Sequence, residues 1–463
     1  MTRAGLMTER KRNCLFHRMD NLIKKFLDEF EKIDAPIRVI SHLDADGLSS
    51  ATIISEAFKR RGNDFALSIV RQLDEKVIKE LSLEDYDCFL FVDLGSGFLT
   101  LINRYLNDRK VFILDHHIPE NIEGNFIHVN PHLAGLDSDS ISGSGLAYLF
   151  SIALDENNKD LAYIAVIGGL GDYINFNQGL NQMILKDALD SGYLEIKKGL
   201  KIFGAQTRHL HKLLQYSTDP YIPGVTGSEE GSINFLNELG INYKDENGDF
   251  RKVNDLNQNE LKELITGVIL RRFGNEDNPE DVISDIYLLA REEDESYTKD
   301  AREYATLLNA CGRLRKPSFG IGTLMGNFTL KSKANELLRN YKAEIINMME
   351  WFNRNKDKFI KEEKFMIINA EDKIRDSMIG TLCGMLCSSN IYPRNYVILG
   401  MAYTPDDDIK VSMRTNNSNI DLREILKKVA DGGGHSNACG AFIKREQEQE
   451  FIKNMREILT KVL

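Results

Sequence analysis

The first 200 residues alternate short apolar runs with stretches in which apolar residues recur every three to four positions. The runs at 37–41, 65–70, 88–94 and 110–114 are each bounded by polar turns, which predicts buried strands. Helical spacing at 48–58, 73–82 and 97–107 separates them. This alternation predicts an α/β domain built on a parallel sheet with crossover helices. In such sheets ligands gather beyond the carboxyl ends of the strands. Polar residues collect there, after Ser41, at Asp93 and at Asp115.

Further along, the pattern is helical from about 142 to 200. Residues 201–360 read as a mostly helical insert and connecting helix, with polar loops at 245–249 and 274–281 and a charged helix near 329–356. Trp351, the sole tryptophan, reads there as a packing residue. A smaller α/β segment follows over 361–463: strands at 365–369, 396–402 and 409–413, helices at 376–388 and 421–429, then the glycines before His435. No repeat with a period of roughly 20–50 residues is visible. The expected division is a tail at 1–18 (Met7 and Met19 are alternative starts), a catalytic domain at 19–200, the insert at 201–360 and a substrate-binding domain at 361–463.

Composition narrows the class. With 463 residues, 42% hydrophobic and 28% charged, the chain is globular. Six cysteines without a C-x-x-C pair exclude a disulfide framework or a zinc ribbon, and Cys383 and Cys387 read as one apolar helix face. No apolar run reaches the roughly 18 residues of a membrane span, and the first residues lack a signal-peptide core, so a soluble, cytoplasmic protein without a membrane partner is expected. The net charge of −11 argues at first against a nucleic-acid binder. Yet residues 1–200 hold 22 basic and 30 acidic side chains, whereas 361–463 hold 15 of each. The acidity is local.

Four short segments explain part of it. They are His42-Leu-Asp44-Ala-Asp46-Gly47, Asp93 at the end of FLFVD, Asp115-His116-His117 after VFIL, and Asp172 in Gly171-Asp172-Tyr173. Singly, each has an ordinary reading as a turn, a helix cap or a core histidine. Together, each following its own apolar element, they put carboxylates and imidazoles at the edge of one core. Clustered aspartates raise one another's pKa unless a cation offsets them. Mixed oxygen and imidazole donors suit manganese or another divalent transition metal. Two such ions sharing a carboxylate are a usual device for phosphate-ester hydrolysis.

The order H-x-D-x-D-G, D, D-H-H, G-D resembles the DHH phosphoesterase superfamily. Gly432-Gly433-Gly434-His435 is similar to the glycine-rich motif of the domain that accompanies DHH domains. The matching regions are 36–195 and 362–463. The resemblance implies one metal on His42, Asp44 and Asp93, and a second on Asp46, Asp93, His116 and Asp172, with Asp93 as the bridge. His117 is then left to bind the scissile phosphate or protonate the leaving group, and Asp115 to orient a histidine. Expected phosphate contacts are Ser142, Gly143 and Ser144 at a helix start, Gly433, Gly434 and His435, and Arg375 and Arg414. An ordinary Ser/Gly helix start and plain surface arginines are the competing readings.

The segments ISHLDADGLSSA, FVDLGSG, ILDHHIPEN, DLAYIAVIGGLGDY and AREYATLLNACGR resemble most the archaeal RecJ-like, GINS-associated nuclease group. That resemblance implies a manganese-dependent exonuclease on single-stranded nucleic acid, 5′→3′ on DNA, in replication and repair, with magnesium or cobalt as alternative ions. It also makes Arg302 and Arg313 candidate nucleic-acid contacts. Alternatives are an oligoribonuclease or small-nucleotide phosphodiesterase, a 3′→5′ RNA exonuclease, and a replisome scaffold that binds the GINS complex through the insert.

Overall fold

The computed structural model describes residues 3–463 except 218, 275, 277, 390, 391, 394, 418 and 431, with side chains from residue 17. It divides into two compact units, 1–335 and 336–463.

In the first unit, strands β1 (Ile37–His42), β2 (Phe65–Val70), β3 (Cys88–Val92), β4 (Lys110–Leu114) and β5 (Phe126–Val129) form one sheet in the order β2-β1-β3-β4-β5. Every pairing is parallel. The strand expected at 88–94 stops at Val92, because Asp93 turns to a φ of 59°. β5 had no strong apolar signal, being half-buried at the sheet edge. Both faces of the central strands are covered. Alternate residues Phe89, Phe91, Val111 and Ile113 enter a core with Ile78, Leu81 and Ile102. On the other face Phe112 meets Phe26 and Phe30 edge-to-face at 5.0 and 5.4 Å, and both phenylalanines also pack on Phe150. Phe26 and Phe30 belong to the first helix, Arg3–Phe30, in which Met19 and Ile23 are also buried. The expected tail at 1–18 falls mostly outside the described side chains.

The strand order reverses direction beside β1: the chain moves outward to β2, then returns to β3 on the other side. Such a switch point opens a crevice at the carboxyl ends of the flanking strands, here β1 and β3. The helix Ala45–Arg61 starts in that crevice, capped by Asp44, which accepts from the Gly47 N–H. Lys59, Arg60 and Arg61 in its last turn complement the helix dipole.

The insert leaves and re-enters through a two-stranded antiparallel ribbon, β6 (Leu194–Leu200) and β7 (Ile283–Leu289), in which Leu200 faces Ile283. Between them lies a separate core of Leu210, Leu213, Leu214, Phe235, Leu236, Leu264 and Val268. The helix Ala301–Arg313 then packs back on the Ala45–Arg61 helix.

The second unit is a six-stranded sheet in the order β12-β13-β11-β10-β9-β8. Its strands are β8 (Ile360–Lys361), β9 (Phe365–Asn369), β10 (Val397–Tyr403), β11 (Asp408–Thr415), β12 (Gly432–His435) and β13 (Ala438–Lys444). One face buries Leu399, Met401, Val411, Met413, Ala441 and Ile443 against Phe451, Met455 and Leu459 of the last helix, Glu448–Val462. The helix Asp376–Ser388 lies on the opposite face, where Ile379 and Cys383 close over Gly400 so tightly that a Cβ there would meet the Cys383 Sγ at 2.5 Å. The glycine-rich segment Gly432–His435 is an edge strand. Among the described residues no helix is long and apolar enough to cross a membrane.

Candidate metal centre

The four segments singled out in the sequence converge at the switch point. His42 ends β1, Asp44 caps the following helix, Asp46 lies in that helix's first turn, Asp93 follows β3, His116 and His117 follow β4, and Asp172 ends the helix Ala162–Gly171. Asp93 stands with Asp115 and His117 in one close set, and the two expected donor sets also result, His42/Asp44/Asp93 and Asp46/Asp93/His116/Asp172. In each, one ligand atom per residue lies within 4.8 Å of the others. Asp93 is common to both. His42 Nδ1 lies 2.8 Å from Asp44 Oδ2 and 3.9 Å from Asp93 Oδ2. His116 Nε2 lies 3.6 Å from Asp93 Oδ1 and 3.4 Å from Asp172 Oδ2.

Asp93 carries the clearest sign of a missing partner. It is 1% exposed, and neither carboxylate oxygen meets a hydrogen-bond donor. Its backbone holds a left-handed φ, an arrangement that costs free energy and tends to persist where function requires it. Burial, reinforced by Asp46, Asp44, Asp172 and Asp115, pushes its carboxyl well above the usual range. Asp46 is raised by burial and by Asp172. His116 is drawn up to about 10: burial opposes its charge, but Asp172, Asp46 and Asp115 outweigh that. A buried centre of this kind binds protons because it lacks other positive charge, and divalent cations on the two donor sets fit that need. Asp44 behaves differently. Burial would raise its carboxyl, but His42 and the Gly47 N–H hold it below the usual range.

Asp115 orients a histidine. Its Oδ1 lies 2.7 Å from His117 Nδ1 and also accepts from the His117 backbone N–H, while Oδ2 accepts from the Ser96 N–H at 2.8 Å. The contact to Nδ1 directs His117 Nε2 away from Asp115. Behind it, the Asn130 side chain donates to the His117 carbonyl at 2.8 Å and to Ser96 Oγ at 2.9 Å, and Ser96 Oγ also meets His128 Nε2 at 2.9 Å. Burial lowers His128 to about 4, which keeps it neutral. Ser96 lies in the quoted FVDLGSG segment without a role being read for it, and His128 and Asn130 went unnoticed because they carry no motif of their own.

Ser142, Gly143 and Ser144 require a correction. They are buried at a helix start, and the Gly143 and Ser144 N–H groups already have an acceptor. Gly143 N–H donates to Asp46 Oδ2 at 2.6 Å, Ser144 donates to Asp46 Oδ1 through both its N–H and its hydroxyl, and Gly145 N–H donates to Ser142 Oγ. The anion at this helix dipole is the protein's own Asp46. A Cβ at Gly143 would meet Asp93 Cβ at 2.6 Å, so this glycine makes room for the shared carboxylate.

The AREYATLLNACGR helix also has a definite role. Asn309 Oδ1 accepts from the Ala45 N–H at 3.0 Å, and a Cβ at Gly312 would collide with the Leu43 carbonyl. This helix clamps the turn carrying Asp44. Arg302 lies over the Tyr287 ring and reaches Ser284 Oγ, and Arg313 is half-buried.

In the second unit, His435 pairs with Ala438 and Ala438 with Arg414, which places His435 and Arg414 in one row on one face of the sheet. The next row on that face holds Gly433, Gly440 and Ser412. Arg414 Nη1 donates to the Met413 carbonyl at 2.8 Å. Gly434, with φ 127°, lies so close to the Ala438 carbonyl that a Cβ would approach it to 2.5 Å. Arg375, 59% exposed, lies at the start of the Asp376–Ser388 helix and pairs with Glu344 at 3.2 Å.

Residues 36–168 match the DHH family, N-terminal domain, residues 202–286 the DHH-CID domain, and residues 363–461 the DHHA1 domain. An uncharacterized protein of Methanocaldococcus jannaschii is 29% identical over 91% of this chain and 93% of its own length. The single-stranded-DNA-specific exonuclease RecJ of Thermus thermophilus is 29% identical over 35% of this chain and 26% of its own length. The fold is similar to that of RecJ in complex with Mn²⁺ from Thermus thermophilus, with a TM-score of 0.58 and 16% identity. That alignment covers 96% of this chain and 55% of the other, so the chain spans about half of that RecJ. The fold is equally similar to that of CDC45 from Entamoeba histolytica, with a TM-score of 0.59, 12% identity, and coverage of 97% of this chain and 99% of the other.

Proposed function

Since the chain belongs to the DHH superfamily, with a RecJ-like set of domains, we propose that it is a metal-dependent exonuclease that hydrolyses single-stranded nucleic acid from an end. The proposed direction is 5′→3′ on DNA, in replication and repair. The observation that carries this reading is Asp93, buried without a hydrogen-bond partner and shared by two donor sets.

Two divalent cations, manganese first, would supply a polarised phosphoryl oxygen and a water of lowered pKa. His42, Asp44 and Asp93 would hold one, and Asp46, Asp93, His116 and Asp172 the other. The chain's own part is positioning. Gly143 and Ser144 fix Asp46, the Ala301–Arg313 helix fixes the Asp44 turn, and Asp115 fixes the His117 ring. His117 Nε2 would donate a hydrogen bond to the scissile phosphate or a proton to the leaving oxygen. In the second unit, β12 is an edge strand whose outer side has no neighbouring strand among the described residues, and glycine there would let a phosphate approach closely. Arg414 and His435 would add charge and a donor.

The test uses purified protein, Mn²⁺, and single-stranded DNA and RNA of one sequence labelled at either end. Stepwise shortening from the 5′ end, lost in Asp44→Ala and Asp172→Ala, is expected. Activity that survives both substitutions overturns the site assignment. A strong preference for dinucleotides would favour a small-nucleotide phosphodiesterase, and shortening of RNA from the other end a 3′→5′ RNA exonuclease.

A second reading, compatible with the first, is a scaffold that binds the GINS complex through the insert. Its support is the insert's separate core and the fold likeness to CDC45. Capture of GINS by the full chain, lost on removing 201–282 while nuclease activity remains, is the expected result. Capture unchanged by that deletion counts against it.

A further inference from the structure

Tyr173 stands out for what it does not do. It follows Asp172 directly and has a φ of 59°. Its N–H donates to the Leu170 carbonyl, and the Ile174 N–H donates to the Gly169 carbonyl at 2.9 Å. This pair of bonds terminates a helix and requires a left-handed residue between them, a place normally filled by glycine. Gly62 and Gly135 occupy the left-handed position after two other helices of this chain. A tyrosine there strains its backbone, since its Cβ crowds the following carbonyl. Packing does not offset the strain. The neighbours Ile174 and Phe176 are buried, but Tyr173 is 95% exposed.

Its location supplies a reason. Asp46, Asp93 and His116 are buried, whereas His42, Asp44, His117 and Asp172 are partly exposed and form the mouth of the carboxylate centre. Consecutive Cα atoms are about 3.8 Å apart, so Tyr173 is fixed to the rim at Asp172. A solvent-exposed ring beside a phosphate-binding mouth presents a face to whatever flat group the phosphate carries.

We propose that Tyr173 is a stacking platform for the nucleobase adjoining the phosphate held at the Asp93 centre. This rests on the nuclease reading above and makes Tyr173 a binding residue within it. Stacking on an aromatic side chain tolerates every base, which suits an enzyme that must shorten a strand of any sequence.

The test is equilibrium binding of a single-stranded oligodeoxynucleotide bearing 2-aminopurine as its terminal base, with Ca²⁺ in place of Mn²⁺. The wild-type chain quenches the fluorophore. Tyr173→Gly is expected to abolish the quenching and weaken binding roughly tenfold, yet to raise the melting temperature because glycine relieves the strain. Tyr173→Phe and Tyr173→Trp keep quenching and affinity. With an abasic terminal nucleotide, wild type and Tyr173→Gly bind alike. Unchanged quenching and affinity in Tyr173→Gly overturn the inference, as does an equal loss in Tyr173→Phe. If Mn²⁺-dependent cleavage is intact while Tyr173→Gly has no effect, only the platform fails. A wild type that neither binds nor cuts the strand removes the nuclease reading and the platform together.

Discussion

Ser142–Gly145 and Gly432–Gly434 look alike as glycine-rich text, and both invite a phosphate. In the fold they serve opposite ends. The first is buried, its N–H groups consumed by Asp46 and Ser142, its Gly143 pressed against Asp93. The second is an edge strand beside a row holding Arg414 and His435. The difference teaches that glycine permits close approach but does not say to what. Inside the first unit the approaching group is the carboxylate of Asp93; in the second it is the backbone of β13, at Gly440 and Ala438.

The predictions are arranged to break that contrast, starting with the largest effect. Asp93→Asn removes the carboxylate shared by both donor sets. Hydrolysis of labelled single strands should fall to background, and the rise in melting temperature on adding Mn²⁺ should vanish. A residual rise equal to wild type would mean that the cations bind elsewhere.

Gly143→Ala and Gly434→Ala test the two glycine segments directly. The first forces Asp93 to move and should cut kcat by about 100-fold, the scale expected when a reacting group shifts by about 1 Å. The second strains a strand edge and should raise KM while leaving the Mn²⁺-induced stabilisation intact. The same kinetic signature in both would erase the distinction.

Arg414→Ala should raise KM for a single strand and reduce the salt slope of binding by about one. The metal-linked melting shift should not change. A loss confined to kcat would remove Arg414 from the substrate surface.

A pH series sharpens the account of the first unit. Asp46 and Asp93 are raised in the fold, so between their unfolded and folded pKa values the folded chain binds more protons than the unfolded one. His116, raised to about 10, acts in the same direction above about pH 6.5. Asp44 and Asp115 lie below the usual range, so they stay ionised and add no slope between pH 5 and 8. His128, lowered to about 4, acts in the opposite direction below about pH 6.5, so with a chelator present the melting temperature should fall as pH rises from 6.5 to 8. With saturating Mn²⁺ it should rise, because protons and cations compete for the same oxygens.

The smallest effect is Asn309→Ala. It leaves the buried Ala45 N–H without its acceptor, which should cost about 1 kcal/mol in denaturant unfolding and reduce activity a few-fold.

Much of the first unit was legible in the sequence because each donor follows its own apolar strand or helix. β2 and β4 coincide with the apolar runs at 65–70 and 110–114. Other parts were not legible. Asn309 acts on Ala45 across 264 residues, and no local pattern encodes such a contact. Ser96, after β3, and His128 and Asn130, at the end of β5, support His117 from outside its own segment. The strand at Gly432–His435 is hidden because glycine favours no strand; pairing with β13 decides it. Tyr173 was quoted within a motif, but its strain and exposure exist only in three dimensions.

The ribbon of β6 and β7 has a consequence for how the chain can be rearranged. Because Leu200 and Ile283 face one another, the two ends of the 201–282 excursion already stand a strand's width apart. A two-residue Asn-Gly turn would close the ribbon as an ordinary hairpin. The excursion is thus a cassette: it can be cut out, exchanged or transplanted at a seam that leaves the threading of the remaining chain as it was.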